Sequence, residues 1–301
     1  MREPDADIRV AVASPSELGE SPMWHPREHV LYYCDIPGKR LNRFDPASGA
    51  LTHWDFDTEP ASIAPRLDGR LILAMRDGLF AFDPATEQRV ALARAPYGTD
   101  KERFNDGKAD PQGRFWVGTI YEPRDPALAA LYCYSVGELE KRVGDITVSN
   151  GLAWSPNGRT MYWSDTKVHE IYAFDFDPAS GELSRRRVFA RFPVKAAQQD
   201  IATYGGRPDG AAVDTEGCYW VAMFEGQRLL RLSPDGEVLR EVVLPAQCAT
   251  MPCFGDADLK RIYITTARHG RPADELARQP HAGCVFSLRV DVAGLPVNFA
   301  E

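Results

Sequence analysis

One short unit recurs six times along the chain, and this repeat constrains the fold more than any other feature of the sequence. Each copy contains a run of β-forming residues that ends close to a small residue. The runs are VLYYCD at 30, RLILAM at 70, RFWVGT at 114, TMYWSD at 160, CYWVAM at 218 and RIYITT at 261. Their small residues are Cys34, Ala74, Gly118, Ser164, Ala222 and Thr265, with gaps of 40, 44, 46, 58 and 43 residues. Because this spacing is typical of propeller blades, the repeat predicts a ring of small sheets.

Every unit predicts four short strands. A lead-in strand precedes the run named above, and a second apolar strand and a more polar strand follow it, with Gly, Pro, Asn and Asp at the joints. The pattern therefore predicts an all-β fold, a six-bladed β-propeller with four antiparallel strands per blade, formed by residues 1–301 as a single domain.

The sixth unit is one strand short. After VFSLRV at 285 no further strand pattern follows before Glu301. A suitable strand exists at the other end of the chain, in IRVAVA at 8–13. We expect this segment to complete the sixth blade and to close the ring, because closure removes the exposed edge that an open array would leave.

Charge and composition narrow the classes of partner. The chain has 35 Lys and Arg against 43 Asp and Glu, with no run of five like charges, which argues against a nucleic-acid or membrane-surface partner. No apolar stretch has the length of a membrane span, and MREPDADIRV contains acids and no apolar core of signal-peptide length. The six cysteines have no CxxC spacing and predict reduced, buried thiols. We expect a cytoplasmic protein, monomeric or weakly homo-oligomeric, that acts on a small molecule.

The residues at the entrance of the six lead-in strands carry the chemistry. In a propeller these entrances meet at one rim of the central channel, so residues far apart in sequence become neighbours. Oxygen-bearing side chains without a thiolate or imidazole suit Ca²⁺, Mg²⁺ or Mn²⁺ better than structural zinc. The positions are Glu20, Ala61, Asn105 or Asp106, Asn150, Asp209 and Thr250.

A simpler interpretation is that Asn and Asp before Gly are turn formers at strand entrances. For any single pair, such as Asn150-Gly151, this interpretation is preferable. For the whole set we prefer a metal site, because Glu20 is not a turn residue and the positions coincide in the repeat.

Two further residues are expected at the same rim. Glu122 lies in a loop between the second and third strands of the third unit, and Arg103 immediately precedes the lead-in position of that unit. An arginine is usually a surface ion-pair partner, but beside an amide at a channel mouth it could equally bind substrate oxygens.

Several segments resemble the regucalcin and gluconolactonase family, also called the senescence marker protein family. They are LGESPMW (18–24), RFNDGKADPQGRFWVGT (103–119), SNGLAWS (149–155), PDGAAVD (208–214) and RQPHAGCVF (278–286). The resemblance extends over nearly the whole chain. It implies a six-bladed propeller with one divalent metal ion in the channel and, in many members, hydrolysis of sugar lactones.

The resemblance also assigns roles to individual positions. The metal-binding Glu, Asn and Asp of the family fall on Glu20, Asn150 and Asp209. The substrate-contacting residues fall on Arg103, Asn105 and Glu122. The identity of the metal is left open among Ca²⁺, Mg²⁺, Mn²⁺, Zn²⁺ and Fe²⁺.

The functional hypothesis is metal-dependent hydrolysis of a sugar lactone to the sugar acid, with Asp209 as ligand and general base. The alternatives are hydrolysis of other esters or organophosphates, and a propeller that binds calcium or a ligand without turnover. The segment 192–210 is longer than in vertebrate regucalcins. The loop 192–208 within it and the insertion 267–283, whose ADELAR core predicts a short helical turn, are expected to overhang the site and select the substrate.

Overall fold

The fold consists of six four-stranded antiparallel sheets. It is described by a computed structural model for residues 3–301. The first strand, β1 (Arg9–Val12), stands alone before the first blade. Blades 1 to 3 comprise β2 (Gly19–His25), β3 (Val30–Asp35), β4 (Arg40–Asp45), β5 (Ala50–Asp55), β6 (Pro60–Pro65), β7 (Leu71–Met75), β8 (Gly78–Phe82), β9 (Arg89–Arg94), β10 (Glu102–Ala109), β11 (Phe115–Tyr121), β12 (Ala129–Ser135) and β13 (Glu138–Ile146).

Blades 4 to 6 follow in the same order. They comprise β14 (Ser149–Trp154), β15 (Thr160–Asp165), β16 (Glu170–Phe176), β17 (Leu183–Arg191), β18 (Arg207–Val213), β19 (Tyr219–Phe224), β20 (Arg228–Leu232), β21 (Val238–Val243), β22 (Cys248–Gly255), β23 (Arg261–Ala267) and β24 (Val285–Arg289). The innermost strands β2, β6, β10, β14, β18 and β22 each contact the next, and β22 contacts β2, so that the sheets form a closed ring. The predicted six-bladed propeller is confirmed.

The N-terminal strand closes the ring as expected. β1 pairs antiparallel with β24, with Arg9 opposite Ser287 and Val10 opposite Phe286. Val12 is buried in the same cluster as Val285 and Trp24. The sixth blade therefore contains strands from both ends of the chain.

Burial falls from the axis outwards. The innermost strands β2, β6 and β14 are buried along their whole length, whereas the outermost strand β5 has no buried residue. Large side chains such as Trp116, Trp163 and Trp220 are almost fully buried. Strands that are sandwiched between neighbouring sheets bury both faces, which explains why the inner runs are apolar without alternation.

A β-bulge interrupts the pairing of every innermost strand near its start. The register shifts fall between Glu20 and Met23, Pro60 and Ser62, Phe104 and Gly107, Asn150 and Ala153, Pro208 and Ala211, and Ala249 and Met251. The sequence interpretation placed the site residues just before the lead-in strands, and this was wrong by a few residues. They lie within the strands, where an extra residue re-aims a side chain out of the sheet.

The C-terminal segment 293–301 crosses the end of the channel that lies away from the β-bulges. The backbone N–H of Leu295 donates to Val213 O at 3.1 Å, that of Ala300 to Pro65 O at 2.7 Å, and that of Glu301 to Gly113 O at 3.0 Å. The segment thereby ties together blades 5, 2 and 3. The segment also lines a cavity of about 250 Å³ at this end of the channel.

Two expectations about local features are met. The insertion 267–283 contains a short helix, α1 (Ala273–Arg278), as the ADELAR pattern predicts. All six cysteines, each within the described residues, are buried and unpaired. Within residues 3–301 no helix is long and apolar enough to cross a membrane.

Removing residues 1–13 tests the closure of the ring. The truncation deletes β1 and leaves the backbone groups of β24 unpaired, so we expect aggregation or a melting temperature lower by roughly 10 °C or more. Thermal unfolding monitored by circular dichroism measures this. A control that lacks only residues 1–4, which precede β1, should melt like the intact chain, and equal melting of the longer truncation would contradict the closure.

Candidate metal and active site

Three buried carboxylates meet in the channel at the level of the bulges. Glu20, Asp106 and Asp209 are each at most 6% exposed. Burial raises the pKa of Glu20 well above its ordinary value, and the negative charges of Asp209 and Asp106 raise it further. Burial and the charge of Asp106 likewise raise the pKa of Asp209 to about 8. The strands of blades 1, 3 and 5 thus bring like charges together where water does not screen them.

Asn150 is held in one orientation by its neighbours. Its Nδ2 donates to Thr166 Oγ1 at 2.8 Å, and the hydroxyl of Thr166 in turn donates to Pro208 O at 2.8 Å. Because the hydroxyl has a single hydrogen, Thr166 must accept from the amide nitrogen, and this fixes the amide oxygen on the other side. The same hydroxyl couples Asn150 to the residue that precedes Asp209.

Asn105 joins blades 3 and 4 at the bulges. Its Nδ2 donates to Asn150 Oδ1 at 2.9 Å and to Ser149 O at 2.8 Å. Its Oδ1 accepts from Arg103 Nη1 at 2.8 Å, and the same nitrogen donates to Phe104 O at 2.9 Å. Both N–H bonds of the Asn105 side-chain amide are therefore used in hydrogen bonds within the protein. Only the second lone pair of its oxygen is available to accept a hydrogen bond from a ligand.

Glu122 lies at the mouth as expected, but its main partner is an arginine from blade 2. Arg76 donates to both oxygens of Glu122, at 2.9 and 3.1 Å, and also to Glu59 at 2.8 Å. Arg103 Nε lies 3.7 Å from Glu122 Oε1. Arg103 is nearly buried, whereas the Glu122 side chain is 39% exposed. An acceptor and a donor thus stand side by side at the entrance of the channel.

The Asn150-Gly151 pair has a structural reason as well as a chemical one. Gly151 has φ +64°, in the left-handed region, and an added Cβ would lie 2.3 Å from the hydroxyl of Tyr219. That hydroxyl donates to Gly151 O at 2.6 Å and fixes blade 5 against the bulge of blade 4. Glycine is therefore required directly after Asn150.

Sequence reasoning missed several residues that shape the site. The repeat pattern offers Asp106 only as an alternative to Asn105 at the same position. In the structure, Asp106 Oδ2 accepts a hydrogen bond from Leu152 N at 2.9 Å, and its Oδ1 is buried without a hydrogen-bond partner among the described residues. Arg76 and Thr166 were not singled out, because each acts through a contact with another blade that no local pattern reveals.

The donor set is made of two kinds of oxygen. Among residues 3–301 no group of three or more His, Cys, Asp and Glu side chains is placed to hold a metal ion. The predicted set contains two carboxylates, Glu20 and Asp209, and one amide, Asn150. Such a mixed oxygen set is typical of sites for hard cations, which also take ligands from water and substrate.

Comparison with known proteins agrees with this architecture. Residues 18–268 match the family described as SMP-30/Gluconolactonase/LRE-like region. The chain is 43% identical to a 6-deoxy-6-sulfogluconolactonase of Pseudomonas putida, over 95% of this chain and 96% of that protein. It is 35% identical to regucalcin of Oryctolagus cuniculus, over 92% of this chain and 93% of that protein.

A solved structure shows the same fold. The crystal structure of a calcium-binding protein, regucalcin, from Agrobacterium tumefaciens superposes with a TM-score of 0.89 at 28% identity, covering 97% of each chain. Sequence and fold agree over almost the full length of the relatives. The chain therefore belongs to the SMP-30/gluconolactonase/LRE-like family.

Proposed function

We propose that this protein hydrolyses a sugar lactone to the open sugar acid with the help of one divalent metal ion. Membership of the gluconolactonase family makes it a lactone hydrolase, a class of carboxylic ester hydrolase. The observation that supports the metal dependence is the burial of Glu20 and Asp209 in one channel, where the charges of Asp209 and Asp106 raise the pKa of Glu20 and the charge of Asp106 raises that of Asp209.

The residues present fit a divalent cation. Among residues 3–301 neither Glu20 nor Asp209 has a Lys, Arg or His nitrogen within 4.0 Å. Two unpaired carboxylates in a buried channel are unfavourable unless a cation or protons neutralise them. We propose that Glu20, Asn150 and Asp209 hold the metal, with Ca²⁺, Mg²⁺ and Mn²⁺ as the best matches to an all-oxygen set.

The protein side chains then divide the work of hydrolysis. When bound, the metal ion would supply Lewis acidity toward the lactone carbonyl. Asp209 accepts a proton from the attacking water as a general base. Arg103 donates to oxygens of the substrate, and Glu122 and the oxygen of Asn105 accept from its ring hydroxyls. We infer direct attack by water, because no residue pair in this set has the character of an activated nucleophile.

An assay of metal-free protein on aldonolactones, with each of several divalent metals restored in turn, tests the proposal. We expect turnover of at least one aldonolactone that depends on added metal and exceeds turnover of aryl esters and organophosphates. Preference for an aryl ester would identify a different esterase, and metal binding without any turnover would identify a binding propeller.

Variants of Asp209 in the same assay separate its two roles. Asp209→Asn keeps an oxygen ligand but not the basicity, so metal should still bind while turnover falls by roughly 10²–10⁴-fold. Asp209→Ala should lose both, and full activity of this variant at saturating metal would sink the assignment. The control is Glu138→Gln, which removes one charge from an exposed position on the outer strand of blade 3.

The raised carboxylate pKa values predict how the metal-free protein responds to pH. Asp209 binds its proton in the folded state up to a pH of about 8, whereas the unfolded chain releases it near its ordinary pKa of 3.8. The folded state thus binds more protons in this window, so stability must fall as the pH rises from about 5 to 8. Melting temperatures measured with a chelator present should show this fall. Asp209→Asn should flatten the dependence and melt above the unmutated protein at pH 8, and an unchanged slope would contradict the coupling.

A further inference from the structure

A second arginine begins an innermost strand of the channel, two blades after the strand that carries Arg103. Arg207 begins β18 and precedes Asp209 by two residues. It occupies the position in blade 5 that Arg103 occupies in blade 3, because each pairs with the second strand of its blade two residues before the site residue in the bulge. Neither the metal site nor the contacts assigned to Arg103 and Glu122 use this arginine.

Arg207 is fixed in place without being fully neutralised. Its guanidinium lies 5.0 Å from the centroid of the Phe224 ring, and its Nη1 lies 3.2 Å from Glu225 Oε2. The Arg207 side chain is 26% exposed, and that of Glu225 is 15% exposed. The aromatic face supports the planar cation from one side, the Tyr204 side chain also interacts with it, and the guanidinium remains partly open to solvent.

The shared carboxylate is bound more tightly by another arginine. Arg271 Nη1 donates to Glu225 Oε1 at 2.6 Å, and its other nitrogens donate to both oxygens of Glu275 at 2.8 and 2.7 Å. This bidentate network ties the insertion that contains α1 to the turn after β19. Arg271 therefore holds the insertion against blade 5, and this connection does not depend on Arg207.

The surroundings of Arg207 are polar and basic. The hydroxyl of Tyr204 lies 3.2 Å from His169 Nε2, and Lys195 Nζ lies 5.8 Å from the Tyr204 ring. Lys195 and Lys167 are exposed, and among residues 3–301 neither has a carboxylate within 4.0 Å. The Nζ of Lys167 donates to the carbonyl of Arg124 in the blade 3 loop. Lys195 and Lys167 thus add positive charge near Arg207, whose own acidic partner Glu225 is shared with Arg271.

We propose that Arg207 forms an anion subsite, and that the preferred lactone carries an oxyanion group (sulfonate, phosphate or carboxylate) on its exocyclic carbon. The inference rests on the proposed lactonase function and adds the substrate class. The exocyclic carbon lies outside both the ring and the reacting ester, so an anionic group there can bind a cation at the rim without altering the lactone carbonyl. A planar guanidinium binds such oxyanions through paired hydrogen bonds.

Kinetics on matched substrates test the subsite. The probes are glucono-1,5-lactone and its counterparts with sulfonate, phosphate or carboxylate at C6, which also distinguish among the three anions. We expect kcat/KM for at least one anionic lactone to exceed that for the neutral lactone. In Arg207→Gln this ratio should fall by roughly 10- to 100-fold, mainly through KM, because a charge-assisted contact is lost. Arg207→Lys should restore part of the ratio, since it keeps the charge without the fork.

Two controls make the result specific. Arg185→Gln removes the same charge from an arginine that is 82% exposed and pairs with Asp175 on blade 4, so the ratio should not change. Calorimetric titration with 6-phosphogluconate and gluconate gives a readout that does not depend on turnover, and Arg207→Gln should abolish the preference for the phosphorylated acid. Hydrolysis of lactones with no anion preference, or a preference that survives Arg207→Gln, would overturn the subsite alone. Failure to hydrolyse any lactone would overturn the proposed function with it.

Discussion

The β-bulge in each innermost strand is the constraint on which the site depends. A regular strand in a propeller points its side chains at the neighbouring blades, where they must be apolar. The bulge adds one residue and locally changes the direction in which the side chains in and beside it point. Asn105 and Asp209 lie in the bulges of blades 3 and 5. Glu20 and Asn150 are the last paired residues before the bulges of blades 1 and 4. The ring that buries the core and the ring that presents the polar groups are thus the same six strands.

The channel carries a charge imbalance that the fold alone does not relieve. Three buried carboxyl groups, Glu20, Asp106 and Asp209, face the basic groups of Arg103 and Lys108 within the channel, while Arg207 lies partly exposed at its rim. Lys108 donates to the carbonyl of Ala211 and pairs with none of the three within 4.0 Å among the described residues. Such an arrangement destabilises the metal-free protein and favours cation binding, since the free energy recovered on binding is greatest where the carboxylates are least solvated.

The fold was predictable because its signal repeats. Six strand runs at regular spacing predicted the blades, and the missing strand of the sixth blade predicted the role of residues 8–13, of which 9–12 form β1. Four entrance residues were also found, since equivalent positions in a ring converge. What local patterns did not reveal were contacts between blades. Thr166 orients Asn150 through Pro208, Arg76 reaches Glu122 from blade 2, and the C-terminal segment crosses three blades; each joins residues that no spacing rule connects.

The central claim is that oxygens from blades 1, 4 and 5 hold one divalent cation on the channel axis. Anomalous diffraction from crystals soaked in Mn²⁺ tests it most directly. The account predicts one dominant peak bounded by Glu20, Asn150 and Asp209, at ligand distances of about 2.1–2.6 Å. That peak should be absent from crystals of Glu20→Gln soaked at the same low concentration. A dominant peak elsewhere on the protein, or an empty channel in crystals that still hydrolyse lactone, would contradict it.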